Sequence, residues 1–153
     1  WLPLAEAGDA AAQYYIGVMF DPDEQLRPNR EYTQIALKWY TLAAEQGYSA
    51  AQHNLGLLYA KGEGIERNYP YAFMWFSLAA ITEIDVEKKK HAAQSRDIAA
   101  TFMNASEIEE AKTIIFAGST ASAGRNTQNR FGNFVLSRLQ GLGVKLGACL
   151  LPS

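Results

Sequence analysis

The strongest constraint in this sequence is that part of it occurs twice. Gly8-Asp9-Ala10-Ala11-Ala12-Gln13-Tyr14-Tyr15-Ile16-Gly17-Val18-Met19-Phe20 lies over Gly47-Tyr48-Ser49-Ala50-Ala51-Gln52-His53-Asn54-Leu55-Gly56-Leu57-Leu58-Tyr59 at an offset of 39. Further on, Ala36-Leu37-Lys38-Trp39-Tyr40-Thr41-Leu42-Ala43-Ala44 lies over Ala72-Phe73-Met74-Trp75-Phe76-Ser77-Leu78-Ala79-Ala80 at an offset of 36. The first copy therefore carries three extra residues, in the polar stretch from Asp21 to Arg30. A unit of this length cannot bury its apolar surface alone, so successive copies must stack and cover one another.

Each copy reads as two helices. Ala51, Leu55, Leu58 and Tyr59 recur at spacings of three and four, as do Ala72, Trp75, Phe76, Ala79 and Ala80, so each segment presents one apolar stripe. Gly17 and Gly56 fall in mid-helix, where glycine costs about 1 kcal/mol relative to alanine. A glycine repeated there predicts a neighbouring helix too close for a side chain, with the indole of Trp39 or Trp75 as the expected occupant of the facing gap. Gly47, Gly62 and Gly64 are expected to end helices through positive φ, and Pro70 suits a first helical turn.

Composition bounds the rest. With 153 residues, 48% hydrophobic and 20% charged, the chain suits one compact domain, and no apolar run is long enough to span a bilayer. A single cysteine, Cys149, excludes an internal disulfide framework and any multi-cysteine metal site. Residues 1–110 carry nine Lys/Arg and sixteen Asp/Glu, a formal charge of −7, whereas residues 111–153 carry five cations and no carboxylate. An array this acidic lacks the basic stripe that nucleic acid requires. The cationic end also holds six of the twelve glycines. Within it Phe131, Phe134, Val135, Leu139, Leu142 and Leu146 recur at near-helical spacing, while Leu142, Val144, Leu146, Ala148 and Leu150 also alternate as a strand would. Residues 118–153 are thus expected to form a separate tail: a cap on the array, a homodimer contact through 125–151, or a membrane-surface anchor. The chain opens at Trp1 inside a helical pattern, which predicts a piece of a longer protein and leaves its compartment open.

The pattern Ala51-x-x-x-Leu55-Gly56-x-x-Tyr59-x-x-Gly62-x-Gly64-Ile65, followed by Ala72-x-x-Trp75-Phe76-x-x-Ala79-Ala80, closely resembles the Sel1-like repeat, a relative of the tetratricopeptide repeat. The resemblance covers residues 1–83 as two units plus a trailing helix, since Leu4-Ala5-Glu6-Ala7-Gly8 lies over Ala43-Ala44-Glu45-Gln46-Gly47. Residues 92–112 resemble the closing segment common in bacterial members, which ends the array near residue 117. Asn68 and Tyr71 stand where the family usually has aspartate and lysine, and the first unit lacks the Gly-x-Gly turn. The resemblance implies an all-α, right-handed α-α superhelix (solenoid) of helical hairpins with a C-terminal cap. It also implies a scaffold or adaptor that binds a peptide or protein in its concave groove. Side chains flanking the central pair of each first helix are expected to face that groove: Tyr14, Val18 and Asp21 in the first unit, and His53, Leu57 and Lys61 in the second. The competing reading packs Tyr14, Val18 and Leu57 beneath the tail. Gly17, Trp39, Gly56, Tyr59 and Trp75 are expected to be structural.

No constellation of catalytic residues emerges. Gly62-Glu63-Gly64 follows no strand and lacks a third glycine, so it reads as a turn and not a phosphate loop. Asp21, Asp23 and Glu24 lack the glycine and distal glutamate of a calcium loop. His53 and His91 lie in different units without further ligands at metal spacing, so neither a metal nor another cofactor is expected. Lys88-Lys89-Lys90, preceded by Glu83, Asp85 and Glu87, reads as a solvated face. Asn104 and Glu107 have the spacing of a capping box opening a helix through about Phe116. Two rival functions remain. Cysteine-rich relatives have been linked with β-lactam binding or hydrolysis, yet their paired cysteines and any Ser-x-x-Lys motif are missing here. The other rival is a purely structural oligomer whose tail fills a neighbour's groove.

Overall fold

The computed structural model describes residues 1–21 and 29–121, with side chains as far as Phe116. The tail beyond residue 121, with the cap, dimer and anchor readings and Cys149, lies outside the described residues, as does most of the first unit's insertion. The described residues form seven helices and no strand: α1 (Leu2–Glu6), α2 (Ala10–Phe20), α3 (Arg30–Glu45), α4 (Ser49–Lys61), α5 (Tyr69–Thr82), α6 (Val86–Ala100) and α7 (Ala105–Ala121). The two repeated units are the hairpins α2–α3 and α4–α5. Successive helices from α1 to α6 pack on one another, and α7 returns onto α5. This is a helical solenoid.

Helix starts follow from short polar side chains. Asp9, Asn29, Asn68 and Asp85 each accept a hydrogen bond from a backbone N–H in the first turn of the helix they precede. Asn104 and Glu107 form the reciprocal capping box: Glu107 N–H donates to Asn104 Oδ1 (2.8 Å) and Asn104 N–H to Glu107 Oε2 (2.9 Å). The helix they open runs to Ala121, five residues beyond the expected end. Gly62 ends α4 at φ 67°, and its N–H bonds to the Leu58 carbonyl at 3.0 Å. Asn68 caps as aspartate would. Tyr71, in place of the family's lysine, is buried edge-on against Tyr59 at a ring distance of 4.3 Å.

The close approach predicted at the mid-helix glycines is present, but the indoles do not fill it. A Cβ on Gly56 would lie 2.6 Å from Phe76 Cε1, and one on Gly17 would run into the ring of Tyr40. The occupant is thus the residue after each tryptophan. Trp75 is buried beside Tyr71, while Trp39 is only partly buried, against the small cluster of Ala5, Ala12 and Ile16, with Lys38 Nζ 5.3 Å from its ring centre. A second difference concerns α5, which carries no single stripe: every residue from Tyr71 to Ala80 is buried. With α4, α6 and α7 all packed against it, this helix is the axis of the core, and a helix so placed is apolar all round.

Two glutamines tie the layers together. Gln13 Nε2 donates to the Ala5 carbonyl (3.0 Å), and Gln52 Nε2 to the Ala44 carbonyl (3.1 Å). Both amides are buried, and each reaches back eight residues to the end of the preceding helix. Their carbonyl oxygens are also engaged, accepting from Gln46 Nε2 (2.8 Å) and Thr82 Oγ1 (2.7 Å) respectively. Each of these two buried amides is therefore paired through both its nitrogen and its oxygen.

Replacing Gly56 by alanine is expected to destabilise the protein by about 1–3 kcal/mol despite alanine's better helix propensity, and Trp75→Ala by about 3–5 kcal/mol. Urea denaturation measures both, and a parental midpoint for either would refute the packing described. Gln52→Leu, which strips the Ala44 carbonyl of its buried donor, is expected to cost about 1–3 kcal/mol in the same assay.

Candidate protein-docking surface

The two first helices, α2 and α4, carry all six residues expected to face a partner. Tyr14, Val18 and Asp21 follow one another at four and three residues along α2 and its C-cap. His53, Leu57 and Lys61 follow at four and four along α4, so each set shares a helical face. Val18 and Lys61 are exposed, Tyr14 and Leu57 are partly buried against the main core, and Asp21 and His53 are intermediate.

Tyr14 lies within an aromatic cluster. Its ring sits 5.1 Å from Tyr48, 5.3 Å from Tyr15 and 5.9 Å from Tyr40, and Tyr15 in turn meets Trp1 at 5.1 Å. Trp1 and Tyr15 remain 64% and 45% exposed, so the cluster ends in an accessible aromatic surface. Beside it runs a polar chain: Tyr40 OH donates to Asp21 Oδ2 (2.8 Å), and Asn54 Nδ2 donates to Tyr40 OH (3.1 Å). Burial, with the Asp21 carboxylate adding to it, pushes the Tyr40 hydroxyl far above its ordinary pKa, so it remains a neutral donor. Asp21 is thereby anchored, and the network joins α2, α3 and α4. Trp1, Tyr15, Tyr48 and Asn54 were not singled out from the sequence. The Tyr14-Tyr15 doublet was a visible signal, but the convergence of Tyr48 and Asn54 required the packing of α4 on α3.

His53 is placed differently from the rest. Its Nε2 lies 3.1 Å from Ser95 Oγ, and its ring is 5.3 Å from Phe76 and 5.0 Å from His91. Sequence separates the two histidines into different units, and α6 brings them together. Among the described residues no group of three His, Cys, Asp or Glu could hold a metal. Glu83 and Asp85, expected as helix-face partners of the lysines, instead form the turn before α6. Glu83 accepts from Ser49 Oγ (2.6 Å) and from two backbone N–H groups, and these bonds, the serine's foremost, hold its carboxyl below the usual range. Lys88, Lys89 and Lys90 are exposed, as expected.

The Sel1 repeat family model matches residues 10–48 and 49–81, the two hairpins described above. The chain carries two Sel1 repeats. A solved structure similar to it is that of c5321, a protective antigen present in uropathogenic Escherichia coli strains and displaying an SLR fold. It aligns with 97% of this chain at 26% identity and a TM-score of 0.62. The alignment covers 28% of that antigen's chain, so this chain spans little more than a quarter of its length. No curated protein sequence matches. Sel1 repeats generally mediate protein–protein interaction. Among the described residues no helix of the array is long and apolar enough to cross a membrane.

Burial, and secondarily the neighbouring His91, pulls the His53 pKa below its ordinary 6.5. The unfolded chain therefore takes up a proton as pH falls through that value while the folded array does not. Stability is full above the ordinary value and declines below it until the folded pKa is reached. Urea midpoints measured from about pH 7.5 down to about pH 5 are expected to fall, and His53→Asn is expected to flatten that fall; an unchanged slope would assign it to other groups.

Proposed function

We propose that this chain is a noncatalytic scaffold that docks a peptide segment or protein surface along the face shared by α2 and α4. The observation that carries the reading is the aromatic surface of Trp1, Tyr15, Tyr14 and Tyr48, which adjoins the fixed polar chain of Asp21, Tyr40 and Asn54. Tyrosine and tryptophan supply large contact areas with few rotors to immobilise, and they dominate the energetics of protein interfaces. Val18 extends the apolar area along α2. Lys61, exposed at the far end of α4, adds a charge that can orient a partner while contributing little to raw affinity. His53 and Leu57 lie between, one against α6 and the other against the core, and they shape the floor more than they reach outward.

The noncatalytic part of the reading rests on the chemistry of the residues themselves. The polar groups along this face are caps, ties between helices or neutral phenols, and the hydroxyl–imidazole contact of Ser95 with His53 ties α6 to α4, with His91 as the ring beside that imidazole.

Val18→Asp and Lys61→Glu change exposed positions, so each should melt within about 0.5 kcal/mol of the parent. Tyr14→Ala is a poorer probe, because it removes three ring contacts and lowers stability as well. Affinity capture from the source organism with the parent and the Val18→Asp/Lys61→Glu variant, analysed by mass spectrometry, tests the assignment. Proteins retained by the parent and lost by the equally stable variant are the expected result. Identical capture by both would remove this face from the binding surface.

A further inference from the structure

In the two regular hairpins the paired helices pack along each other, α2 with α3 and α4 with α5. The last pair departs from this. Among the described residues α6 and α7 each pack on α5 and scarcely on one another. Between them lies an open groove of about 850 Å³. Its floor is Phe73, Ala80 and Ile81 of α5, with Ala93 on the α6 wall and Ile108 and Ile115 on the α7 wall.

The rim is cationic. Lys89 and Arg96 stand on the α6 wall and Lys112 on the α7 wall, with Asp97 as the one carboxylate among the lining residues. Arg96 pairs with Asp97 at 2.8 Å and Lys112 with Glu109 at 3.5 Å. Both pairs are largely solvent-exposed, so they neutralise the rim weakly. Lys88 and Lys90 flank Lys89 and are exposed as well. Lys88, Lys89, Lys90 and Arg96 fall within residues 1–110, which carry −7 in total, so on that acidic segment the rim is a local reversal of sign.

We propose that this groove docks an amphipathic helix of a partner protein, apolar on one face and acidic on its flanks. An apolar trough left between two helices over a third is completed by a further helix that inserts residues at i, i+3 or i+4, and i+7. Charge selects which helix. Carboxylates flanking that apolar face meet Lys89, Arg96 and Lys112, whereas residues 122–153 of this chain, with four cations and no carboxylate, meet like charge. The site shares no residue with the face of α2 and α4 and stands independently of it.

The test uses the full chain and two labelled 18-residue helical peptides, leucine on one face and either glutamate or lysine elsewhere, read by fluorescence anisotropy. The glutamate peptide is expected to bind at least ten-fold more tightly than the lysine peptide at low salt, with the preference shrinking as salt is raised. Lys89→Glu/Arg96→Glu/Lys112→Glu should reverse the preference. Ile81→Asp, at a floor position 56% exposed, should weaken the glutamate peptide at least ten-fold while leaving the melting transition in place. Val18→Asp should change neither. Failure of the glutamate peptide to bind, equal binding of both peptides, or indifference to the rim and floor variants would overturn the proposal. Preference for the lysine peptide would overturn it too, pointing to a groove suited to the cationic tail.

Discussion

Two ring-on-backbone contacts set the geometry from which the rest of this molecule follows. Where Tyr40 meets Gly17 and Phe76 meets Gly56, an aromatic ring occupies the space that a Cβ would need, so ring and helix backbone come together with no intervening side chain. That contact determines how closely the two helices of a hairpin approach, and interiors are packed too densely for a methyl group to be added without displacing a neighbour. The close approach places Asn54, on α4, within reach of the Tyr40 hydroxyl and leaves Asp21 as that hydroxyl's acceptor. The polar chain along the proposed docking face is thus an outcome of the packing beneath it. The buried amides of Gln13 and Gln52 then fix one unit to the next, because each satisfies its donor on the preceding helix and its acceptor on the following one.

Most of this architecture was legible in the sequence, because it is periodic. The 39-residue offset, the mid-helix glycines and the Asn104–Glu107 spacing are local signals with local consequences, and the hairpins and the start of α7 follow from them. The identity of the ring in the gap was not legible. Trp39-Tyr40 and Trp75-Phe76 are adjacent aromatics about 100° apart on the helix, and both fit the same apolar stripe. Which ring meets the glycine depends on how the helices cross, and neither residue's spacing states that. The full burial of α5 was hidden for a related reason: besides its hairpin partner α4, two further helices reach it, and one of them, α7, arrives from far along the chain.

The proposed docking face divides along the same line. Tyr14, Val18 and Asp21 could be placed on one face from spacing and resemblance, and they do lie on one face of α2. The neighbours that turn Tyr14 into part of an extended aromatic surface come from α1 and from the turn before α4, outside any single period. His53 met its partners only because α6 stacks on the second unit. Neither Ser95 nor His91 belongs to the repeat, and no offset in the sequence predicts their register.

The open last hairpin has its own cause in composition. Helix α6 contains no glycine, and between Val86 and Ala100 its large apolar side chains are Val86 and Ile98, both exposed. It contacts α5 through small residues such as Ala92 and Ala99, which allow close packing on one side but offer nothing for α7 to seat upon. Helix α7 sends Ala111, Ile114 and Ile115 into the main core, which leaves its other faces to charge. Without a glycine facing an aromatic ring, the contact that closes the two earlier hairpins cannot form here, and the two helices part over α5. The same rule that makes the repeats compact therefore explains why, among the described residues, their closing segment leaves apolar surface open in a groove. Because α6 is rich in lysine and poor in apolar bulk, that surface is rimmed with positive charge.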